Sequence, residues 1–200
     1  TAMAATALTD EWNRLKSGTD IRGDALEGVE GHPVTLTLSA VKKIAAGFAC
    51  WLSSAAGKPC TKLTVSVGRD SRLTGPAIAK TVMETLSSYG IQVLDCGLSS
   101  PPAMFMTTVD AGCDGAVQVT ASHHPYYRNG LKFFTRSGGL EGSDITSILE
   151  YAQNGISLSP CDEVPGSITP LTYMEQYASR LRRLICEGCG AGQEEAPLAG

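Results

Sequence analysis

No run of lysines and arginines occurs in this 200-residue chain, and its formal net charge is −4. Nucleic acid is gripped by clustered cations that neutralise its phosphates, so a nucleic-acid partner is excluded on charge. Also lacking is any stretch near the roughly 18 unbroken apolar residues that a membrane span needs, which argues for a soluble chain with no membrane partner. No internal repeat is present. The opening "TAMAATALTD" has neither the basic residues nor the apolar centre of a secretory leader; it reads as an extension over 1–16, a cut edge or the stub of a removed transit segment. Regular cysteine spacing is missing too. Cys50, Cys60, Cys96, Cys113, Cys161, Cys186 and Cys189 form an odd set, which suits an intracellular, reducing compartment (cytoplasm or plastid) better than a disulfide framework. Cys186 and Cys189 make a lone Cys-x-x-Cys; a zinc site needs a second pair, and free thiols are the simpler reading.

What is there is an ordinary globular composition, 42% apolar and 18% charged, long enough for one sizeable domain. Val41, Ile44, Phe48 and Leu52 recur at helical spacing over 39–56, with Ser39 placed to cap the start and Gly57 to end it. "KLTVSVGRD" reads as a strand, 76–89 as a second helix with proline in its first turn, and "IQVLDCG" as a second strand. A helix over 101–109, the strands "GAVQVTA" and "LKFF", and a helix over 143–153 follow. Alternation of this kind predicts βαβ crossovers: an α/β, three-layer α/β/α domain with a mixed, mostly parallel four-stranded sheet and helices on both faces. The predicted domain runs over 17–170. A loop-like stretch over 154–170 precedes an amphipathic helix and a linker over 171–200, which suggests a chain that continues into a further domain.

In parallel sheets the loops at the carboxyl ends of the strands gather at one edge, where ligands bind. Here those loops include Gly68–Arg72, Cys96–Pro102 and the crest Ala121-Ser122-His123-His124. Pro125, Asn129 and Gly130 read as the turn that joins the last two strands, folding Lys132 back toward Ser122. Ser122 and His123 make no dyad by adjacency, since neighbouring side chains in an extended segment diverge, and the Gly-x-Ser-x-Gly elbow is absent. His123 and His124 lack further ligands for a metal, His32 lying in a distant loop. Phosphoryl chemistry suits Ser122 better: a phosphoserine needs cations and a divalent metal around it, and Lys132, Arg22, Arg69 and Arg72 are available. Arg69, Asp70 and Arg72 read more simply as a salt-bridged turn that holds a loop in shape.

"TASHHPYYRNGLK" resembles the active-site loop of the α-D-phosphohexomutases (phosphoglucomutase/phosphomannomutase), Thr-Ala-Ser-His-Asn-Pro followed by Asn-Gly-x-Lys. "SGTDIRG", "VSVGRDSRLTGP" and "GLSSPPAMF" resemble three further motifs of that superfamily, in its order, over roughly residues 17 to 140. The resemblance implies the amino-terminal domain 1 of a longer enzyme that moves a phosphoryl group between C1 and C6 of a hexose through a bisphosphorylated sugar. It implies Ser122, His123 and Lys132 as catalytic residues, with Ser122 phosphorylated; Arg22, Ser122 and Lys132 as substrate-binding; and Ser122, through its phosphate, as one ligand of Mg²⁺. Hexose phosphates would be its substrates, a hexose 1,6-bisphosphate its activator, and the remaining domains of the same chain its partners. The Asp-x-Asp-x-Asp metal loop of the superfamily does not occur in this sequence, so the chain alone is not expected to complete a turnover. His124 stands where the superfamily has asparagine, and Gly18–Gly23 lacks its inner glycine. Those two departures keep a non-catalytic phosphosugar-binding homologue as the alternative.

Overall fold

The computed structural model describes residues 7–156 and 164–190. In chain order its elements are α1 (Asp10–Asn13), β1 (Lys16–Ser17), β2 (Asp20–Asp24), α2 (Leu38–Ala56), β3 (Thr64–Arg69), α3 (Gly75–Ser88) and β4 (Gln92–Leu98). They continue with α4 (Pro101–Asp110), β5 (Gly115–Val119), β6 (Arg128–Thr135), β7 (Gly138–Gly139), α5 (Gly142–Asn154), β8 (Ile168–Pro170) and α6 (Tyr173–Cys189). The helices α2 to α6 fall where the sequence placed them, whereas α1 lies in the stretch read as an extension. Thr37, rather than Ser39, caps α2, its hydroxyl accepting from Ala40 N at 3.1 Å, and Gly57 ends it in the left-handed conformation at φ 61°.

Three layers form as expected, but the sheet has eight strands rather than four. Its path is β1-β2-β6-β5-β3-β4-β8, with β7 on β6. β5, β3, β4 and β8 run parallel, while β1, β2, β6 and β7 add an antiparallel flank. The sheet is therefore parallel in one half only. Sequence pattern missed the extra strands because most are two to five residues long and carry glycine and charge instead of β-branched runs. Asn129 and Gly130, read as turn residues, lie inside β6 opposite Gly23 and Arg22 of β2; the turn itself occupies the residues before Arg128.

Strand alternation divides the side chains between two faces. Val65, Val67, Val117, Val119, Leu131, Phe133 and Ile21 enter the larger core beneath α2, α3 and α5, where Phe48 packs tilted against Phe133 with centroids 4.7 Å apart. The other face is covered by α4 and the start of α6, around Cys96, Met104, Ala116, Phe134 and Tyr173. Burial pushes the Cys96 thiol up to about 12, so it stays protonated and inert. Leu171 N donates to Asp95 O at 2.8 Å, and the Tyr173 hydroxyl donates to Asp110 at 2.6 Å, so α6 begins against the domain. Leu181, Leu184 and Ile185 further along it are exposed. Among the described residues no helix is long and apolar enough to cross a membrane.

On the second face α4 packs over β3, β5 and β6, and where β2 and β6 pair, Asp20, Arg22 and Lys132 keep 7%, 15% and 30% of their side chains exposed. The strands there approach closely. A Cβ on Gly130 would stand 2.4 Å from Ile21 O and 2.9 Å from Thr120 O, both backbone atoms that cannot give way. Gly130→Ala is therefore expected to lose about 1–3 kcal/mol through overpacking, read as a lower urea midpoint with an unchanged slope.

Candidate functional site

The carboxyl ends of β3 and β5 lie side by side, and the site is built across them. Asp70, just past β3, accepts from the Thr120 hydroxyl at 2.7 Å and from Arg72 N at 3.1 Å. Thr120 in turn accepts from Ser122 N at 3.0 Å. The Arg72 guanidinium then reaches over the loop and donates to four backbone carbonyls: Ser122 and His124, both at 2.8 Å, Pro125 at 2.7 Å and Arg128 at 2.9 Å. The loop has no ladder of its own, and unpaired carbonyls are costly; a planar fork with five donors meets that need where an ammonium would not. Arg72 and Asp70 thus hold the loop in shape, while Arg69 contributes only a 3.2 Å bond to Asp70 O. On the far side Asn129 Nδ2 donates to the Thr74 hydroxyl at 2.9 Å, tying β6 to the start of α3.

This scaffold holds Ser122 at φ 55°, the one non-glycine residue with positive φ among the described residues. Such a conformation costs on the order of 1–3 kcal/mol and persists where surroundings over-determine it. The same φ overturns the expectation that neighbouring side chains diverge: Ser122 Oγ lies 3.4 Å from His123 Nδ1, a long contact on an exposed crest. His123 stacks on His124 with centroids 5.0 Å apart. His124 Nδ1 lies 3.3 Å from Arg128 Nη1; arginine only donates, so this nitrogen is unprotonated. Loss of hydration, then the charges of Arg128, Arg22, His123 and Arg72, hold His124 below the ordinary histidine value. Behind the loop, Asp24 lies 3.3 Å from both Arg128 Nε and His32 Nδ1, and His32 packs on Tyr127 at 4.1 Å. His32, placed in a distant loop by sequence, therefore supports the back of the crest.

Lys132 and Arg22 lie on the same face of the sheet. The register pairs Asp20 with Lys132 and Arg22 with Gly130, and the Asp20 carboxylate accepts from Arg22 Nη2 at 2.6 Å and from Lys132 Nζ at 2.8 Å. Asp20 is 5% exposed. The structure joins the two expected cations through this third residue, and the hydrogen bonds of Ser122 run to Thr120, Arg72 and His123 rather than to either of them. Sequence reading passed over Asp20, although its place two residues before Arg22 in a strand puts both on one face. Arg128 was missed as well; nothing in its local pattern marks it.

Among the described residues, the buried side-chain polar atoms without a hydrogen bond are Arg22 Nε, Arg72 Nε, Arg128 Nε and Gln118 Oε1. Two of these still lie 3.3 Å from carboxylates, Arg72 Nε from Asp70 and Arg128 Nε from Asp24, so Arg22 Nε and Gln118 Oε1 are the two of the four with neither a hydrogen bond nor an ion-pair partner. Four cationic side chains gather around the crest, which suits an anion better than a cation. A hard cation such as Mg²⁺ needs several free oxygens, and the described residues contain no group of three or more potential metal-ligating side chains. Asp20, Asp24 and Asp70 are all engaged with cations. The residues present do not build a metal site on their own. Cys186 is buried and Cys189 exposed, both free thiols, and Cys161 lies outside the described residues.

Arg72→Lys is expected to free the crest, since a point charge cannot serve four carbonyls. Faster amide hydrogen exchange over 122–128 and a stability loss on the order of 2 kcal/mol would register it; unchanged exchange would show that the loop holds itself.

Residues 14–158 match the family described as phosphoglucomutase/phosphomannomutase, alpha/beta/alpha domain I. A phosphoglucosamine mutase of Nautilia profundicola is 33% identical over 143 residues, which cover 70% of this chain and 31% of that protein. One from Campylobacter jejuni is 37% identical over 86 residues, 43% of this chain and 19% of its own length. The chain thus spans less than a third of these relatives. The solved structure of a phosphoglucomutase/phosphomannomutase family protein from Burkholderia thailandensis shares the fold, with a TM-score of 0.68 at 24% identity over 88% of this chain and 36% of the other. The expected resemblance is confirmed: the chain belongs to the phosphoglucomutase/phosphomannomutase family and carries its α/β/α domain I.

Proposed function

We propose that this domain carries the phosphorylated serine of a phosphohexomutase, an isomerase that interconverts hexose 1-phosphate and hexose 6-phosphate through a bisphosphorylated sugar. The observation that supports it most directly is Ser122, exposed and held at φ 55° on a loop whose carbonyls the Arg72 guanidinium fixes. In the loading step Ser122 Oγ attacks the phosphorus of a hexose 1,6-bisphosphate. The Oγ–P bond forms, the bond from phosphorus to the sugar oxygen breaks, and the serine proton passes to the departing alkoxide. The reverse step phosphorylates the other end of a hexose monophosphate. Phosphoryl transfer rests on positioning and charge neutralisation; Arg22 and Lys132 would supply the cations, and His123, 3.4 Å from Oγ, a route for the proton.

Mg²⁺ would add positive charge at the transferring group, with the phosphate on Ser122 as one ligand and the others from the remaining domains of a longer chain. Those domains would also choose the sugar; the names of the relatives put an amino sugar among the candidates beside glucose and mannose. Free thiols throughout the described residues are in keeping with a reducing compartment, cytoplasm or plastid. A second reading, a phosphosugar-binding homologue without turnover, is favoured by one observation: His124 occupies the asparagine position and is engaged with Arg128.

Incubation with glucose 1,6-bisphosphate and Mg²⁺, followed by peptide mass spectrometry, separates the two. Phosphate on Ser122, removed by excess hexose monophosphate and absent in Ser122→Ala, is the expected result. A serine that stays unmodified under every loading, while hexose phosphates still bind, would leave the binding reading in place.

A further inference from the structure

Asp20 stands between Arg22 and Lys132, the two cations to which the reaction would turn. It accepts from Arg22 Nη2 at 2.6 Å and Lys132 Nζ at 2.8 Å, and only 7% of its side chain is exposed. The register of β2 on β6 places the three residues, so the arrangement is fixed by backbone pairing rather than by flexible reach. Its effect on Arg22 is directional. One end of the guanidinium is tied down through Nη2, and the Nε–H is left buried with no acceptor. Lys132 has three donors, of which one goes to Asp20. Next along the sheet from Lys132, Gln118 is fully buried with its Oε1 unpartnered. In charge, the triad amounts to one positive unit instead of two.

A mutase of the proposed kind places two demands on its phosphate grip. The phosphate must be held in line with Ser122, and the bisphosphorylated sugar must then come loose and turn round before the second transfer. Two uncompensated cations in a partly buried pocket would meet the first demand and defeat the second, because binding energy spent equally on ground and transition states slows release without speeding chemistry.

Resting on that proposed reading, we infer that Asp20 is a positioning residue that aims Arg22 and Lys132 at the phosphoryl group and withholds one unit of their charge, so that the sugar phosphate is released between transfers. The carboxylate touches neither serine nor phosphate in this role; it acts through its two partners.

Asp20→Asn keeps the shape and removes the charge. In a Ser122→Ala background, in the protein with all its domains, calorimetric titration with glucose 1,6-bisphosphate is expected to show about tenfold tighter binding for Asp20→Asn. With Ser122 intact, kcat and KM should both fall, the signature of a ligand held too well. Binding that is unchanged or weaker in a variant with a normal melting curve, or a loss of kcat at constant KM, overturns the proposal. Should Asp20→Asn not fold, Lys132→Gln in the same background leaves Asp20 opposite Arg22 alone and should weaken binding at least tenfold; unchanged binding would again overturn it. Phosphate found on Ser122 together with no tightening in Asp20→Asn refutes the role of Asp20 and leaves the mutase reading standing. No hexose-phosphate binding by either background, with no phosphate on Ser122, refutes both.

Discussion

The crest that carries Ser122 depends on the Arg72 guanidinium, which satisfies the carbonyls of Ser122, His124, Pro125 and Arg128 at once. A loop leaving a parallel strand exposes backbone groups that a ladder would otherwise pair. Water could satisfy them, but then the loop would sample many shapes, and a left-handed serine would relax to a commoner one. Four charge-assisted bonds to one rigid group remove that freedom. Asp70 completes the arrangement: it anchors Arg72 from below and takes the Thr120 hydroxyl, which receives Ser122 N. A residue on β3's loop thus dictates the backbone conformation of a residue on β5's loop.

Sheet direction explains why the cations lie where they do. The parallel half delivers loops to one edge, but parallel neighbours give no side chain that turns back along the crest. β6 does so because it runs antiparallel to β5: Lys132 comes to lie opposite Gln118, a few residues behind Ser122. β2 then runs antiparallel to β6 and adds Asp20 and Arg22 in register. Gly130 permits the close approach of these strands, since any side chain there would meet the Ile21 carbonyl. Of the three charged residues Lys132 reaches solvent most, with 30% of its side chain exposed against 15% for Arg22 and 7% for Asp20.

Much of this was legible in the sequence, and the limits have physical causes. α2, α3, α4 and α5 announce themselves because each buries one apolar stripe, and Ser122, Lys132 and Arg22 were marked by motif. Two-residue β1 and β7 carry no pattern that could reveal them, being held by pairing with β2 and β6 alone. Asn129 and Gly130 look like turn residues on propensity, yet tertiary context uses one as a buried hydrogen-bonding group and the other as a clearance. Asp20 lies within "SGTDIRG", but its role appears only once β2 and β6 are paired. Adjacency arguments failed at Ser122 and His123 for a related reason: they assume extended backbone, and φ 55° is not extended.

The charge balance of the crest is set locally and differs from that of the chain. Arg22, Arg72, Arg128 and Lys132 gather there, and Asp20, Asp24 and Asp70 pair with them, so four cations meet three carboxylates in a protein whose formal net charge is −4. A site meant only to attract anions would have kept its cations unpaired, since a field of one sign focuses charge more strongly. Here each carboxylate instead fixes the direction of an arginine or lysine while cancelling most of the field. What remains is the Arg22 Nε–H without an acceptor and the further donors of Lys132 beyond its bond to Asp20, and such donors discriminate by geometry more than by charge. An anion entering this crest is therefore recognised by where its oxygens sit. That is the property a reaction needs when the same phosphate must arrive, be transferred and leave at one place.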